Sequence, residues 1–123
     1  MCVNDNFATI NVETQNSDDA SLLEWWKRMI RLRTGKWKDV WVYGRYELLA
    51  TAEEDLFIFM KEGRGRSWTV ANLGGERRRW SVESLSMQGK TLELTLCNVE
   101  DLAAEWLVGY EARVYVDTAQ TEQ

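Results

Sequence analysis

The chain has 123 residues, enough for one small domain with a real hydrophobic core. Its net charge of −5 disfavours a general nucleic-acid-binding protein, because neutralising phosphates needs a basic surface. The sequence has no His, which excludes Ser–His–Asp and Cys–His catalysis and any His metal site. Two cysteines, Cys2 and Cys97, are too few for a four-thiolate zinc site, so we expect free thiols and no metal or cofactor.

The amino-terminal segment has none of the features of a targeting or membrane sequence. It lacks a cationic patch followed by an apolar run, so it does not resemble a secretory signal. The longest apolar run in the chain is about five residues, far short of a membrane span. We therefore predict a soluble, cytoplasmic protein without a membrane or nucleic-acid partner.

The first twenty residues are polar and lack periodicity, which predicts a loop. A helix is then predicted over 20–34, with Ser17 able to cap its start and Gly35 able to end it. Acidic residues near the start and basic residues near the end suit the helix dipole. The apolar residues repeat at helical spacing as one face and its flank: Leu22, Leu23, Trp26, Met29 and Ile30 on the face, Trp25 and Leu32 on the flank.

After Val40 the apolar period becomes two, which predicts strands over 46–49, 56–61, 67–73, 79–82, 91–96 and 112–116. Turn sequences at 62–65, 74–76 and 88–90 predict three hairpins. The alternation is cleanest in 91–96, which indicates one solvated face, whereas 56–60 is apolar on both faces and should be covered from two sides. The predicted fold class is mainly β, a small antiparallel β-sandwich preceded by a loop and one amphipathic helix.

The predicted helix has a broader apolar surface than one small sandwich can cover. Its stripe continues from the central face through Trp25 and Leu32. A broad exposed apolar surface marks an interaction site. Either the chain dimerises, or the helix packs on a surface that this sequence does not contain.

Six segments carry patterns that occur together, in this order, in one enzyme family. They are VNDNFATINVETQ at 3–15, SLLEWWKRMIRLR at 21–33, VYGRYELL at 42–49, DLFIFMK at 55–61, WTVANL at 68–73 and YEARVY at 110–115. They resemble the VNxNYxxINVxxQ, SVLxFYKKLIxLR, VYGxYELL, DVFAYxR, LVVLNF and PYEARVY motifs of the α-glucosidases of glycoside hydrolase family 13. Each motif alone is weak, but six in order cover nearly the whole chain.

The resemblance implies a fold and a place within a larger enzyme. Residues 1–36 would be the end of a (β/α)₈ catalytic barrel with its last helix, 37–118 a carboxyl-terminal β-sandwich domain, and 119–123 a polar tail. The missing catalytic barrel would then be the partner of the helix. The function implied is hydrolysis of α-glucosidic bonds of the maltose or isomaltose type, with this chain as a carboxyl-terminal fragment in a structural role.

The same resemblance removes the chemistry from this chain. Family members cleave the α-glucosidic bond with retention of configuration, using an Asp nucleophile, a Glu acid/base and a further Asp. The nucleophile lies in a G-x-R-x-D motif and the further Asp in an N-H-D motif. This sequence has no Arg-x-Asp and no His. We therefore assign no catalytic, substrate-binding, cofactor-binding or metal residue, and expect no hydrolysis by the chain alone.

The sequence also departs from the family pattern. The family usually has Pro after the helix and before YEARVY, where this chain has Gly35-Lys36 and Gly109, and the chain has no Pro. The stretch 74–108 matches poorly.

Paired carboxylates could suggest a glycosidase site, but their positions favour another interpretation. The pairs are Asp18-Asp19, Glu53-Glu54-Asp55 and Glu100-Asp101. Adjacent residues on polar segments do not place two carboxyl groups across a sugar cleft. We interpret them as solvated charges or helix caps.

Two other groups of residues allow an alternative function. Arg77-Arg78-Arg79-Trp80, with Arg64 and Arg66 on a turn expected nearby, could bind an anion or single-stranded nucleic acid, although a solvated hairpin with Trp80 in the core is favoured. Trp37 and Trp41, the tryptophans expected to be exposed, could stack on sugars. The alternative to the glucosidase fragment is thus a stand-alone carbohydrate-binding or protein-interaction β-module.

Overall fold

The computed structural model describes residues 2–49, 54–80, 92–100, 103 and 105–117. Within these described ranges, three helices come first and seven strands follow. The helices are α1 (Val12–Asn16), α2 (Leu22–Thr34) and α3 (Lys38–Trp41). The strands are β1 (Arg45–Leu49), β2 (Leu56–Glu62), β3 (Arg66–Asn72), β4 (Arg78–Arg79), β5 (Leu92–Cys97), β6 (Trp106–Leu107) and β7 (Ala112–Asp117).

All strand pairs in the described residues are antiparallel. Five strands form one sheet in the order β1-β2-β3-β7-β5, and β4 pairs with β6 in a second, two-stranded sheet. The last strand, β7, is therefore inserted between β3 and β5. The mainly β, antiparallel fold with a helical leader is confirmed.

The register of the large sheet gives it two distinct faces. On one face, Ile58 of β2 lies opposite Val70 of β3, and both are buried. Trp80, which follows β4, and Leu107 of β6 pack against this face and complete the core. The small sheet therefore covers this side of the large sheet, and the pair is a sandwich with one reduced layer.

The opposite face lies under the helices. A row of side chains crosses four strands here, because Phe59 pairs with Thr69, Thr69 with Val114 and Val114 with Leu96. Trp41 of α3 meets the Phe59 ring edge-on, with centroids 6.3 Å apart. We expect β2 to be covered on both faces, and the helices cover its second face only in part.

The start of the long helix differs from the prediction. Helix α2 begins at Leu22, and Ser21 caps it by accepting a 3.2 Å hydrogen bond from the Glu24 amide. Ser17, the predicted cap, instead closes α1, a short helix within the predicted loop. The predicted end is confirmed, since the Gly35 amide donates to the Arg31 carbonyl at 2.9 Å.

Five strand predictions agree within one residue with the observed β1, β2, β3, β5 and β7, and β6 is not among the predicted strands. The turn at 62–65 joins β2 to β3 as a hairpin, as predicted, but the turn at 74–76 does not make one, because β3 and β4 lie in different sheets. Strand β4 covers 78–79 alone, and the hairpin at 88–90 lies outside the described residues. The predicted alternation of β5 is broken by a register shift between Leu94 and Leu96.

The last two observations on the fold concern the cysteines and the length of the helices. Cys2 and Cys97 are both free thiols, as predicted. In the part of the chain that the structure describes, every helix is too short or too polar to cross a bilayer.

Candidate functional site

Two of the carboxylates that could have suggested catalysis, Asp55 and Asp18, have local structural partners. One oxygen of Asp55 accepts two hydrogen bonds from Arg78, at 3.0 Å from Nε and 2.7 Å from Nη2. Asp18 accepts a 3.0 Å bond from the amide of Ala20. Glu53 and Asp101 lie outside the described residues. Across the described ranges, no three acidic or thiol side chains come together as a metal site.

The arginine cluster is divided among separate partners. Beyond the Arg78–Asp55 pair, Arg79 lies 3.1 Å from Glu105, and the Arg77 guanidinium lies 4.3 Å from the centre of the Trp106 ring. Each cation is therefore matched by a carboxylate or an aromatic face instead of adding to a basic surface. The favoured interpretation of a solvated hairpin is wrong in its topology, because β4 pairs with β6 in the small sheet and not with β3.

Two details of that cluster follow from the sheet geometry. Trp80 is buried in the core, as predicted. The expectation that Arg64 and Arg66 lie nearby is wrong, because they sit at the opposite end of β3, which is about 20 Å long at 3.3 Å per residue. There Arg64 pairs with Asp39 at 3.1 Å, and Arg66 pairs with Glu62.

The prediction that Trp37 and Trp41 are exposed is also wrong. Both are half-buried, with the Trp37 ring so close to Gly65 that a Cβ there would lie 3.1 Å from it. Trp26 is more exposed, at 53%. A sugar-stacking platform at Trp37 and Trp41 is therefore not formed.

Helix α2 contacts the rest of the chain through the predicted flank and through Met29 of the predicted face, while other residues of that face stay exposed. Trp25, Met29 and Leu32 line a cavity beneath the helix. Leu22, Trp26 and Ile30, which are spaced four residues apart, are 67%, 53% and 55% exposed. We call these three residues the exposed stripe. No residue of α2 is fully buried.

A buried ion pair holds the small sheet to the end of β7. Glu111 and Arg113 are 1% and 2% exposed and form a salt bridge. Arg113 also donates to the carbonyls of Ala103 and Trp106, both at 2.8 Å. Glu111 accepts a 3.1 Å bond from the Val108 amide. Through these three hydrogen bonds the pair fixes the backbone around β6.

Two opposing effects act on the pKa of Arg113. Burial disfavours the charged form and lowers it, whereas hydrogen bonds to Glu111 and Tyr115 raise it, and the net direction is upward. Arg113 therefore stays charged and Glu111 compensates the charge. The sequence resemblance included these residues, but nothing local in the sequence indicated that they are buried.

Asn72 extends this polar network on the neighbouring strand. Its Nδ2 donates to the carbonyls of Glu76 at 2.7 Å and Val108 at 3.0 Å, and its Oδ1 accepts from the Gly74 amide at 3.0 Å. The Asn of the WTVANL segment therefore ties the loop after β3 to the loop after β6.

The same two loops meet at a pair of glycines. A Cβ on Gly109 would lie 2.4 Å from the carbonyl oxygen of Gly75, well inside van der Waals contact. The next residue, Tyr110, has a φ of 60°, in the left-handed region. The close approach explains why Gly occupies the place where the family usually has Pro.

The described residues enclose two concavities beside α2. A cleft of about 640 Å³ lies between the start of the helix and the end of β5. Two of its polar side chains already have partners: Asn98 donates to the Tyr110 carbonyl and accepts from the Ala112 amide, each at 2.8 Å, and Arg28 donates to the Asp19 carbonyl at 2.9 Å.

The second concavity, which we call the helix–sheet cavity, has a volume of about 270 Å³. Its walls are mostly apolar and combine the flank of α2 with the row of residues that crosses the sheet. They are Trp25, Met29, Leu32, Arg33, Trp41, Phe59, Thr69, Leu96, Ala112 and Val114.

Comparison with known proteins identifies the class of molecule. No model of a protein family matches the sequence. The chain is 39% identical over 118 residues to an α-glucosidase of Candida albicans, which covers 94% of this chain and 20% of that enzyme. It is 33% identical over 118 residues to a probable oligo-1,6-glucosidase of Bacillus subtilis, covering 93% of this chain and 20% of that protein. The chain thus spans about a fifth of the length of these relatives.

Solved structures give the same result for the fold. A trehalose-6-phosphate hydrolase of Bacillus licheniformis aligns with 93% of this chain and 21% of its own, with a TM-score of 0.76 at 22% identity. The large sheet and its small companion therefore have the fold of the carboxyl-terminal domain in structures of glycoside hydrolase family 13. The chain corresponds to the carboxyl-terminal portion of the α-glucosidases of that family.

The alternative, a stand-alone binding module, is not favoured by these relatives or by the positions of the tryptophans and arginines. The resemblance drawn from the six sequence segments is confirmed.

Proposed function

We propose that this chain is the structural end of an enzyme that hydrolyses α-glucosidic bonds, and that a catalytic barrel supplies the chemistry. The sequence lacks the G-x-R-x-D and N-H-D motifs of the family, and Asp18 and Asp55 are used in a local turn and in an ion pair, respectively. The chain alone therefore carries no catalytic, substrate-binding, cofactor or metal residue.

The observation that carries the proposal is the exposed stripe of α2. Leu22, Trp26 and Ile30 present apolar side chains away from the sheet, while the flank of the same helix faces the cavity. Such a surface on a helix marks a contact with another body. In the proposed enzyme that body is the barrel, and the stripe buries against it.

The proposed division of the chain follows from this arrangement. Residues 1–36 belong to the end of the barrel, 37–118 to the β-sandwich domain and 119–123 to a polar tail. The end of α2 at Thr34 and Gly35 supports a boundary there, as does the packing of α3 with β2 and β3. The substrate, of the maltose or isomaltose type, would meet the barrel and not this chain.

A chimaera tests the proposal directly. The matching region of the Candida albicans α-glucosidase is replaced by this chain, and hydrolysis of an aryl α-glucoside is measured. We expect an active chimaera, and we expect Trp26→Ala to lower its yield of soluble, active enzyme. Arg31→Ala, on the exposed side of α2 but outside the stripe, is the matched control and should leave the yield unchanged.

The isolated chain provides the complementary experiment. Incubated with maltose or an aryl α-glucoside, it should release no glucose above a buffer control. Turnover that follows the chain through purification would contradict the proposal, as would a chimaera in which Trp26→Ala and Arg31→Ala behave alike.

A further inference from the structure

We propose that this chain carries a docking surface in two parts, and that this surface binds the catalytic part of an α-glucosidase even when the two are separate chains. One part is the exposed stripe of α2. The other is residues 3–12, which we call the turn segment. The inference rests on the proposed function, because the partner is the catalytic barrel named there, and it adds a second area of contact and an association that needs no peptide link.

The turn segment exposes its apolar side chains. Val3, Phe7, Ile10 and Val12 are between 60% and 72% exposed. Single exposed apolar residues are common on protein surfaces, but a group of them marks an interaction site. Four such residues within ten positions are a group.

The polar side chains of the same segment bond to its own backbone. Asn4 accepts a 3.2 Å hydrogen bond from the Asn6 amide. Asn11 donates to the Phe7 carbonyl at 3.0 Å and accepts from the Thr14 amide at 2.8 Å. The asparagines therefore hold the turns in one shape, and the apolar side chains are left on the outside of it.

The turn segment and α2 are fixed to each other through α1, which directly follows the turns. The Gln15 carbonyl accepts from the Ser21 hydroxyl at 2.8 Å, and Oε1 of Gln15 accepts from the Leu23 amide at 3.0 Å. Lys27 of α2 donates to Oδ1 of Asn16 at 2.7 Å. The turn segment and the exposed stripe therefore belong to one body and can meet one partner together.

The two parts together have the area of a stable interface. At about 150–250 Å² for a fully exposed residue of this size, the four residues of the turn segment and the three of the stripe leave about 800 Å² uncovered. Each partner in a standard protein complex buries about 800 Å². The stripe alone supplies less than half of this area, so the turn segment is needed as well.

The relatives indicate which partner the surface meets. This chain matches the carboxyl-terminal fifth of the Candida albicans α-glucosidase, so in that enzyme the remaining body precedes the turn segment. An area of this size suits a protein and not a small ligand. The occupant we infer is therefore the catalytic part of such an enzyme, and the experiment separates it from a second copy of this chain.

The test is complementation between separate chains. The Candida albicans α-glucosidase is ended where its match to this chain begins, given an affinity tag and co-expressed with this chain, which has no tag. We expect the two to co-purify in equal amounts and to hydrolyse an aryl α-glucoside, and we expect the tagged part alone to be inactive. The carboxyl-terminal fifth of the same enzyme, supplied as a separate chain, is the reference.

Substitutions then test the two parts of the surface. Phe7→Ala and Trp26→Ala should each weaken the association about tenfold or more, the effect of losing an anchor residue of an interface. Leu73→Ala, on the loop after β3, is the matched control, because Leu73 is 64% exposed, and it should leave the association unchanged. Since all three positions are exposed, the isolated variants should unfold like the native chain in circular dichroism.

The inference is overturned if this chain does not co-purify with the tagged part, including the case in which the enzyme's own carboxyl-terminal fifth also fails to do so. It is also overturned if Phe7→Ala behaves like Leu73→Ala. A tight dimer of this chain that Phe7→Ala and Trp26→Ala dissociate would overturn it too, because a second copy would then be the occupant.

The covalent chimaera described above separates this inference from the proposed function. An active chimaera without complementation between separate chains would overturn this inference alone. An inactive chimaera would instead contradict the proposed function.

Discussion

Trp25 and Trp26 are adjacent in the sequence but have opposite environments in α2. Trp25 lines the helix–sheet cavity, whereas Trp26 belongs to the exposed stripe and is 53% exposed. Residues one apart on a helix point about 100° away from each other, so the two rings report on two different surfaces. Trp25 therefore contributes to the stability of this chain, whereas Trp26 is available for contact with another molecule.

We expect Trp25→Ala and Trp26→Ala to differ in the isolated chain. Trp25→Ala removes a ring that packs between helix and sheet and should lower the free energy of unfolding by about 1–3 kcal/mol. Trp26→Ala changes an exposed position and should stay within about 0.5 kcal/mol. Urea denaturation followed by circular dichroism measures both. Equal losses of unfolding free energy would mean that α2 packs on the sheet through a different side of the helix.

The buried pair of Glu111 and Arg113 gives a second prediction. Glu111→Gln leaves a buried guanidinium without its carboxylate and should cost about 3–5 kcal/mol of unfolding free energy. The control is Glu105→Gln in the exposed pair with Arg79, for which a loss below about 1 kcal/mol is expected. Thermal denaturation at neutral pH ranks the two variants. A loss as small as that of the control would show that the pair does not hold β6.

The contact between Gly109 and Gly75 gives a third. Gly109→Ala places a Cβ 2.4 Å from a backbone oxygen, which cannot yield without moving the loop, so we expect a loss of about 1–3 kcal/mol. Gly75→Ala is the matched control, because its Cβ would meet the terminal oxygen of the Tyr110 side chain at 3.2 Å, and a side chain can shift. The midpoint of urea unfolding should fall further for Gly109→Ala than for Gly75→Ala. The reverse order would contradict the observed loop contact.

The pKa of Glu62 predicts a dependence on pH. Hydrogen bonds from Arg66 and then Arg45 lower this pKa from its ordinary value of 4.5. A carboxyl group with a lowered folded-state pKa contributes stability that is fully present above 4.5 and is lost as the pH falls through the folded value. The difference in unfolding free energy between the native chain and Glu62→Gln should therefore shrink in acid.

Denaturant titrations from pH 7 down to acid measure that difference. Glu93→Gln, which changes an exposed glutamate of the edge strand β5, is the control. The expected result is a pH-dependent gap for Glu62→Gln that the control lacks. A difference in unfolding free energy that stays constant with pH would contradict the lowered pKa of Glu62.

The sequence predicts the local parts of this fold well. Apolar period and turn residues locate α2 and the longer strands, because these signals lie within a few neighbouring residues. Ser21 caps α2 in place of Ser17, since both residues suit a cap and the choice depends on the bonds that Gln15 makes to Ser21 and Leu23. Propensity alone does not distinguish two nearby serines.

The non-local parts could not be predicted in the same way. The helical period identifies an apolar stripe, but it does not indicate which side of the helix packs on the sheet. It therefore does not predict that Trp26 is exposed. The burial of Glu111 and Arg113 depends on β7 pairing with β3, about 45 residues earlier in the chain. Arg64 and Arg77 are close in the sequence yet lie at opposite ends of a strand, so their charges do not add. The family resemblance supplied the larger context that the residues alone did not.

The position of β7 also orders the assembly of the chain during synthesis. This strand is translated after all the others, yet it lies inside the sheet and is the one described strand that joins β5 to β3. A nascent chain can form the meander of β1, β2 and β3 as soon as they emerge, but β5 must wait without its neighbour until β7 leaves the ribosome. A stop codon shortly before Ala112 would therefore remove β7, an interior strand of six residues, and leave β5 without its partner in the sheet.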